Sequence, residues 1–158
     1  MQPVDVTVEL DAPPDAVFEL LLDMSRTPEW VTICREVLSL DAGTPHPGWR
    51  CKQRYALRGA PFVVSWVLDE LTPNQNVVWK GRGPARSRAE ASQELTPLDG
   101  GRRTRLRYRN AFKTPGGPFG AVASRALMGD VAEVEARRSL ENLAGILRAD
   151  DSDRAPRN

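Results

Sequence analysis

The chain has 158 residues, with 22 Lys plus Arg against 21 Asp plus Glu, and its net charge of +1 supplies no overall reason to expect a nucleic acid or an anionic membrane as partner. That length fits one domain able to bury a real core, and no apolar run approaches the roughly 18 to 20 residues that span a bilayer. With a single histidine, His46, held between Pro45 and Pro47, and two cysteines, Cys34 and Cys51, the chain has no close-spaced zinc set, no Gly-x-Ser-x-Gly elbow and no phosphate- or dinucleotide-binding glycine motif.

Val4, Val6, Val8 and Leu10 alternate with Asp5, Thr7 and Glu9, the period-two pattern of a half-buried strand. Asp11-Ala12-Pro13-Pro14-Asp15 stops it, and Pro13 or Pro14 suits the entrance of a helix over residues 14 to 23, in which Val17, Phe18, Leu21 and Leu22 recur at helical spacing. Ser25 is placed to cap a second, shorter helix around residues 26 to 31, carrying Trp30. The first residues show no charged-then-apolar leader, so a cytoplasmic setting with reduced thiols is expected.

From Cys34 onward strands are predicted at 35 to 41, 48 to 58, 61 to 71, 76 to 82, 86 to 96 and 102 to 112, separated by turns rich in Gly, Pro, Asn and Asp. Links this short favour antiparallel hairpins, because parallel neighbours need crossovers of about a dozen residues or more. Residues 62 to 68 are apolar on both faces, which fits either a homodimer surface or an inner strand at a sheet bend and leaves the direction of Trp66 open.

Two strands have sharply divided faces. In the last, Thr104, Leu106, Tyr108, Asn110 and Phe112 point one way and Arg103, Arg105, Arg107 and Arg109 the other; if the first strand is its neighbour, Asp5 and Glu9 meet these arginines. In the strand at 48 to 58, Trp49, Cys51, Gln53, Tyr55 and Leu57 share one face. Gln53, Tyr55, Tyr108 and Asn110 then lie inside, where each polar group without a partner costs about 1 to 3 kcal/mol. They either satisfy one another in a filled core or line a cavity, and the four together favour a cavity.

Thr114 to Ala149 closes the fold. Pro115-Gly116-Gly117-Pro118-Phe119-Gly120 reads as a turn, or as a gate with Phe119 at its mouth, and the stretch to Arg148 is long enough for a helix of roughly seven or eight turns. Leu140, Leu143 and Leu147, with Ala136 and Ala132 in line, anchor its second half. The same face carried back reaches Met128, Arg125 and Ala121 with Glu135 at its margin, so the first half would roof the cavity; the alternative for Arg125 and Glu135 is a pair of solvent-facing charges.

Strand, two small helices, long antiparallel sheet and final long helix is the order of the helix-grip fold. Val8-Glu9-Leu10-Asp11-Ala12-Pro13-Pro14-Asp15-Ala16-Val17-Phe18, Pro28-Glu29-Trp30, Leu71-Thr72-Pro73 with Val78-Trp79, the Pro115 to Gly120 turn and Ser139-Leu140-Glu141-Asn142-Leu143 carry a resemblance to the START-like (SRPBCC) superfamily. It is strongest to the bacterial polyketide cyclase/dehydratase and lipid-transport group, and it extends from Val4 to Leu147. The resemblance implies an α+β fold, a curved antiparallel sheet of about seven strands wrapped around the C-terminal helix. Residues 1 to 149 would form the domain and 150 to 158 a polar tail. It also implies an internal cavity for a hydrophobic or aromatic small molecule, with no cofactor and no metal.

From face assignment Tyr108, Asn110 and Glu135 are the catalytic candidates, with Tyr108 or Tyr55 as proton donor, Asn110 or Gln53 as carbonyl-orienting amide and Glu135 as base. Gln53, Tyr55, Arg125, Met128, Phe119 and Trp49 are the ligand-binding candidates. A cofactor-independent polyketide cyclase/dehydratase-like enzyme uses all of these, whereas a non-catalytic lipid or hydrophobic-metabolite carrier needs the same cavity and no acid or base. Neither reading calls for nucleic acid or membrane insertion.

Overall fold

The structure, a computed structural model, describes residues 4–113 and 130–154. Phe119, Arg125, Met128 and the 115–120 turn lie outside the described residues. The elements are β1 (Val4–Leu10), α1 (Pro14–Leu22), a 3-10 turn (Met24–Arg26), α2 (Thr27–Trp30), β2 (Cys34–Leu40), β3 (Arg50–Leu57), β4 (Ala60–Thr72), β5 (Asn76–Arg82), β6 (Arg88–Leu98), β7 (Arg103–Lys113) and α3 (Asp130–Arg154).

The seven strands form one antiparallel sheet in the order β1-β7-β6-β5-β4-β3-β2. Short turns dictate the run from β2 to β7. Between β3 and β4, for example, Arg58 and Gly59 both take positive φ, 51° and 79°, the pair of values that a tight two-residue hairpin requires. Register shifts within the β2–β3 pair and between Leu68 and Glu70 of β4 are irregularities of the kind that curve a sheet. It is a helix-grip architecture, with α3 lying against β1 and α2.

Leu140, Leu143 and Leu147 of α3 are buried, as their spacing requires, and meet a core built from the inward residues of every strand. The helix runs on past Ala149 to Arg154. Asp150 has a partner there, because its carboxylate receives Arg26 Nη1 at 3.2 Å and joins the end of α3 to the 3-10 turn. Ser25 does not cap α2; Arg26 precedes that helix without a side-chain cap bond, and the Ser25 hydroxyl is taken by the Asp23 carboxylate.

The arginine face of β7 is paired rather than bare. β1 lies antiparallel to β7 with Asp5 opposite Arg109 and Glu9 opposite Arg105. Arg107 reaches Asp5 at 2.7 Å, Arg105 reaches Glu9 at 3.4 Å, and Arg103 reaches Asp11 at 2.8 Å. The hydrogen bond from Arg107 holds the Asp5 carboxyl below its ordinary range. Among the described residues no helix is long and apolar enough to cross a membrane.

Trp66 faces inward. Phe62, Val64, Trp66 and Leu68 take the inner side of β4, while on its other side Val63 is half-buried and Val67 is exposed.

Candidate functional site

β6 makes the hollow. Its inward residues Ala89 and Ala91 are small, and Ala91 lies in register between Trp79 of β5 and Asn110 of β7, so the sheet surface is low where its neighbours are tall. A cavity of about 130 Å³ occupies this space, roofed by Ala132, Glu135, Ala136 and Ser139 of α3. Its two polar walls are of different character.

The wall on β3 and β4 is saturated. Trp66 Nε1 donates to Tyr55 Oη at 2.7 Å, Tyr55 Oη donates to Gln53 Oε1, Gln53 Nε2 donates to Thr27 Oγ1 at 3.0 Å, and Thr27 Oγ1 donates to the Met24 carbonyl at 3.0 Å. Gln53 is fully buried, and burial raises the Tyr55 phenol well above its ordinary pKa. For these residues the filled-core alternative holds: they line the cavity and yet satisfy one another.

The wall on β6 and β7 is open. Tyr108 packs edge-on to Trp30, with centroids 6.4 Å apart and planes at 82°, and its hydroxyl receives Asn110 Nδ2 at 3.5 Å, with no other hydrogen-bond partner among the described residues. Burial raises its pKa above the ordinary value of a phenol. Beside it Gln93, itself buried, has a side-chain oxygen with no partner among the described residues.

Glu135 sits at the roof with its side chain 24% exposed. Thr32 Oγ1 donates to its Oε2 at 2.5 Å, and Arg138 lies 3.5 Å from its Oε1. Ser139 Oγ donates to the Glu135 carbonyl at 2.8 Å and accepts from the Thr32 backbone N–H at 3.1 Å, which fixes the entry of β2 against α3. Glu135 is therefore a cavity residue rather than a purely solvent-facing charge.

Of the residues singled out from sequence, Gln53, Tyr55, Tyr108, Asn110 and Glu135 come together around the cavity. Trp49 is not brought to it; its side chain packs edge-on against Trp79, centroids 6.1 Å apart, and is consumed by the core. Gln93, Trp66, Trp30 and Thr27 were not anticipated as lining residues. The Gln93 signal lies in the alternation Ala89, Ala91, Gln93, Leu95, an inner face too poor in large side chains to stand out by hydrophobicity. The two cysteines are free and buried, and burial pushes their thiols up to about 11 for Cys34 and about 12 for Cys51, which makes them poor nucleophiles.

A family model described as polyketide cyclase/dehydrase and lipid transport matches residues 1–148. The chain belongs to this family. No curated protein matches the sequence. Among solved structures it is similar to the Zhui aromatase/cyclase of Streptomyces sp. R1128, with 19% identity, 93% of each chain covered and a TM-score of 0.77. Protein CV1439 of Chromobacterium violaceum is 20% identical over 93% of this chain and 98% of its own, with a TM-score of 0.72. A START superfamily protein of Mycobacterium smegmatis is 17% identical over 93% and 97%, with a TM-score of 0.70. At these identities the structural likeness speaks for the fold, and the cyclase/dehydrase family assignment rests on the family model.

Proposed function

We propose that this member of the cyclase/dehydrase family binds a hydrophobic, ring-bearing or ring-forming small molecule in the cavity and acts on it as a cofactor-independent polyketide cyclase/dehydratase in the cytoplasm. The observation that carries the reading is the presence, around one mainly apolar cavity, of a buried phenol, Tyr108, and a carboxylate, Glu135. Glu135 takes a proton from a methylene between two carbonyls, the resulting enolate carbon attacks a ketone carbon, Tyr108 supplies the proton to the ketone oxygen, and the proton on Glu135 then returns to the Tyr108 phenolate through solvent. Loss of the new hydroxyl with a neighbouring proton releases water. Asn110 holds Tyr108, and the apolar walls fold the chain so that the reacting carbons meet.

A second reading, a carrier without chemistry, is favoured by a different observation: both Glu135 oxygens already face partners, Thr32 and Arg138, and the Gln53 to Trp66 wall is saturated. The test uses a short linear poly-β-ketone probe, with binding followed by tryptophan fluorescence and ring formation by mass spectrometry. Turnover that falls in Tyr108→Phe and Glu135→Gln by more than affinity does supports the enzyme. Binding without turnover above the uncatalysed rate supports the carrier. A broad hydrophobic library that neither binds nor raises the melting temperature rejects both.

A further inference from the structure

The cavity contains two glutamines, and the fold treats them in opposite ways. Gln53 is 0% exposed and both ends of its amide are used, the oxygen by Tyr55 and the nitrogen by Thr27. Gln93 is 6% exposed, and its Oε1 has no partner among the described residues. Buried amide oxygens are ordinarily satisfied, so one left bare in a cavity wall asks for a donor that comes from outside the chain.

The surroundings narrow what that donor is. In register Gln93 lies between Val77, whose side chain has no polar atom, and Tyr108. Cross-strand neighbours place their Cβ atoms about 4.5 to 5.5 Å apart, close enough for both side chains to reach one ligand atom. The Tyr108 hydroxyl accepts the long bond from Asn110, and its own proton goes to no acceptor among the described residues. The pair therefore offers one acceptor and one donor side by side.

We infer that Gln93 and Tyr108 form the polar end of the ligand site and select a ring that bears a hydroxyl group, a phenol or an enol. Its O–H donates to Gln93 Oε1 and its oxygen accepts from Tyr108 Oη. A ketone accepts from Tyr108 and leaves the Gln93 oxygen bare; an ammonium reverses the fault. A hydroxyl answers both. The inference rests on the reading of the cavity as a ligand site, and it makes Gln93 a specificity-determining residue.

The experiment compares p-cresol with p-xylene, which differ by a hydroxyl for a methyl, and adds 4-methylbenzaldehyde as a carbonyl probe, with affinities measured by ligand-observed NMR. The wild-type protein should prefer p-cresol, and Gln93→Leu should reduce the p-cresol to p-xylene affinity ratio about tenfold while p-xylene still binds. Tyr108→Phe should also reduce the ratio. Binding of p-xylene with an unchanged ratio in Gln93→Leu overturns this inference alone; binding of neither probe to the wild type overturns the cavity reading with it. Tighter binding of the aldehyde than of p-cresol also overturns the hydroxyl assignment, because it means that both side chains present donors. The ligand-free melting temperature of Gln93→Leu should be unchanged or raised; a fall would assign Gln93 to the core and not to a ligand.

Discussion

Trp66 Nε1 donates to Tyr55 Oη at 2.7 Å, and the same hydroxyl donates onward to Gln53 Oε1. One phenol thus serves as acceptor and donor at once, and it locks an indole of β4 to an amide of β3 inside the core. The stacking of Tyr55 on Phe62, with centroids 5.5 Å apart, holds the ring from its other side.

Removing that hydroxyl strands two groups together. Tyr55→Phe leaves the Trp66 N–H and the Gln53 oxygen buried and unpaired, so the loss should be about 2 to 4 kcal/mol. Urea unfolding followed by tryptophan fluorescence measures it, and an unchanged midpoint would contradict the hydrogen-bond chain.

Gly81 keeps Trp66 in place by having no side chain. A Cβ there would stand 2.7 Å from Val64 Cγ1 and 2.8 Å from Trp66 Cε3. Gly81→Ala must shift the indole or the valine, at about 1 to 3 kcal/mol. We expect a lower melting temperature, a changed tryptophan emission maximum and weaker binding of any cavity ligand; a variant identical to wild type in all three would disprove the close contact.

The two tyrosines make a clean spectroscopic test, since Tyr55 and Tyr108 are the whole complement. Burial raises both pKa values above 10.0. A raised pKa on an acid that is neutral when protonated adds stability that is complete below the unfolded value and is lost as pH rises from there through the folded value. The native protein should show less tyrosinate absorbance at pH 10 than the unfolded chain, since a free tyrosine is half ionised there, and the remaining absorbance should appear on unfolding. Half-ionisation of a still-folded protein at pH 10 would contradict the burial.

On the outer face the sign is reversed. Asp5 has its pKa lowered from 3.8, first by the Arg107 hydrogen bond. Its contribution is present above that value and disappears as pH falls through the folded pKa. The difference in melting temperature between wild type and Asp5→Asn should therefore shrink as pH is taken from 6 to below about 3. The effect should be modest and should weaken in high salt, because the pair is exposed. A gap that stays constant across that range would rule out the linkage.

How legible the fold was depended on how sharply each strand separates its faces. From Arg103 to Asn110 β7 alternates arginine with apolar or neutral residues, so its orientation and the meeting of Asp5 and Glu9 with the arginines follow from period and charge alone. β4 gives no such contrast. Trp66 could be placed only once Tyr55 was known to wait for its N–H, which is information carried by another strand. The end of α3 was misjudged for a similar reason, since Asp150 is held by Arg26, 124 positions away.

The site was legible in part. Tyr108, Asn110, Gln53, Tyr55 and Glu135 were found by asking which polar residues lie on inner faces, and the cavity does gather them. The same question applied to β6 would have raised Gln93, but a run of small residues gives a weak face signal. Trp49 satisfied the rule and still missed the cavity, because face assignment says which side of a sheet a residue takes and not how far along it the hollow lies.

The pairing of β1 with β7 has a consequence for how the chain reaches this state. Every other neighbour in the sheet is a hairpin partner, whereas Arg107 and Asp5, which meet across this seam, are 102 positions apart. During synthesis the meander from β2 to β7 can zip up hairpin by hairpin as it emerges, while β1 must stay unpaired with its valines exposed until β7 has left the ribosome. We expect closing that long-range seam of the sheet to be slow, and the wait to be an interval in which a chaperone has something to hold.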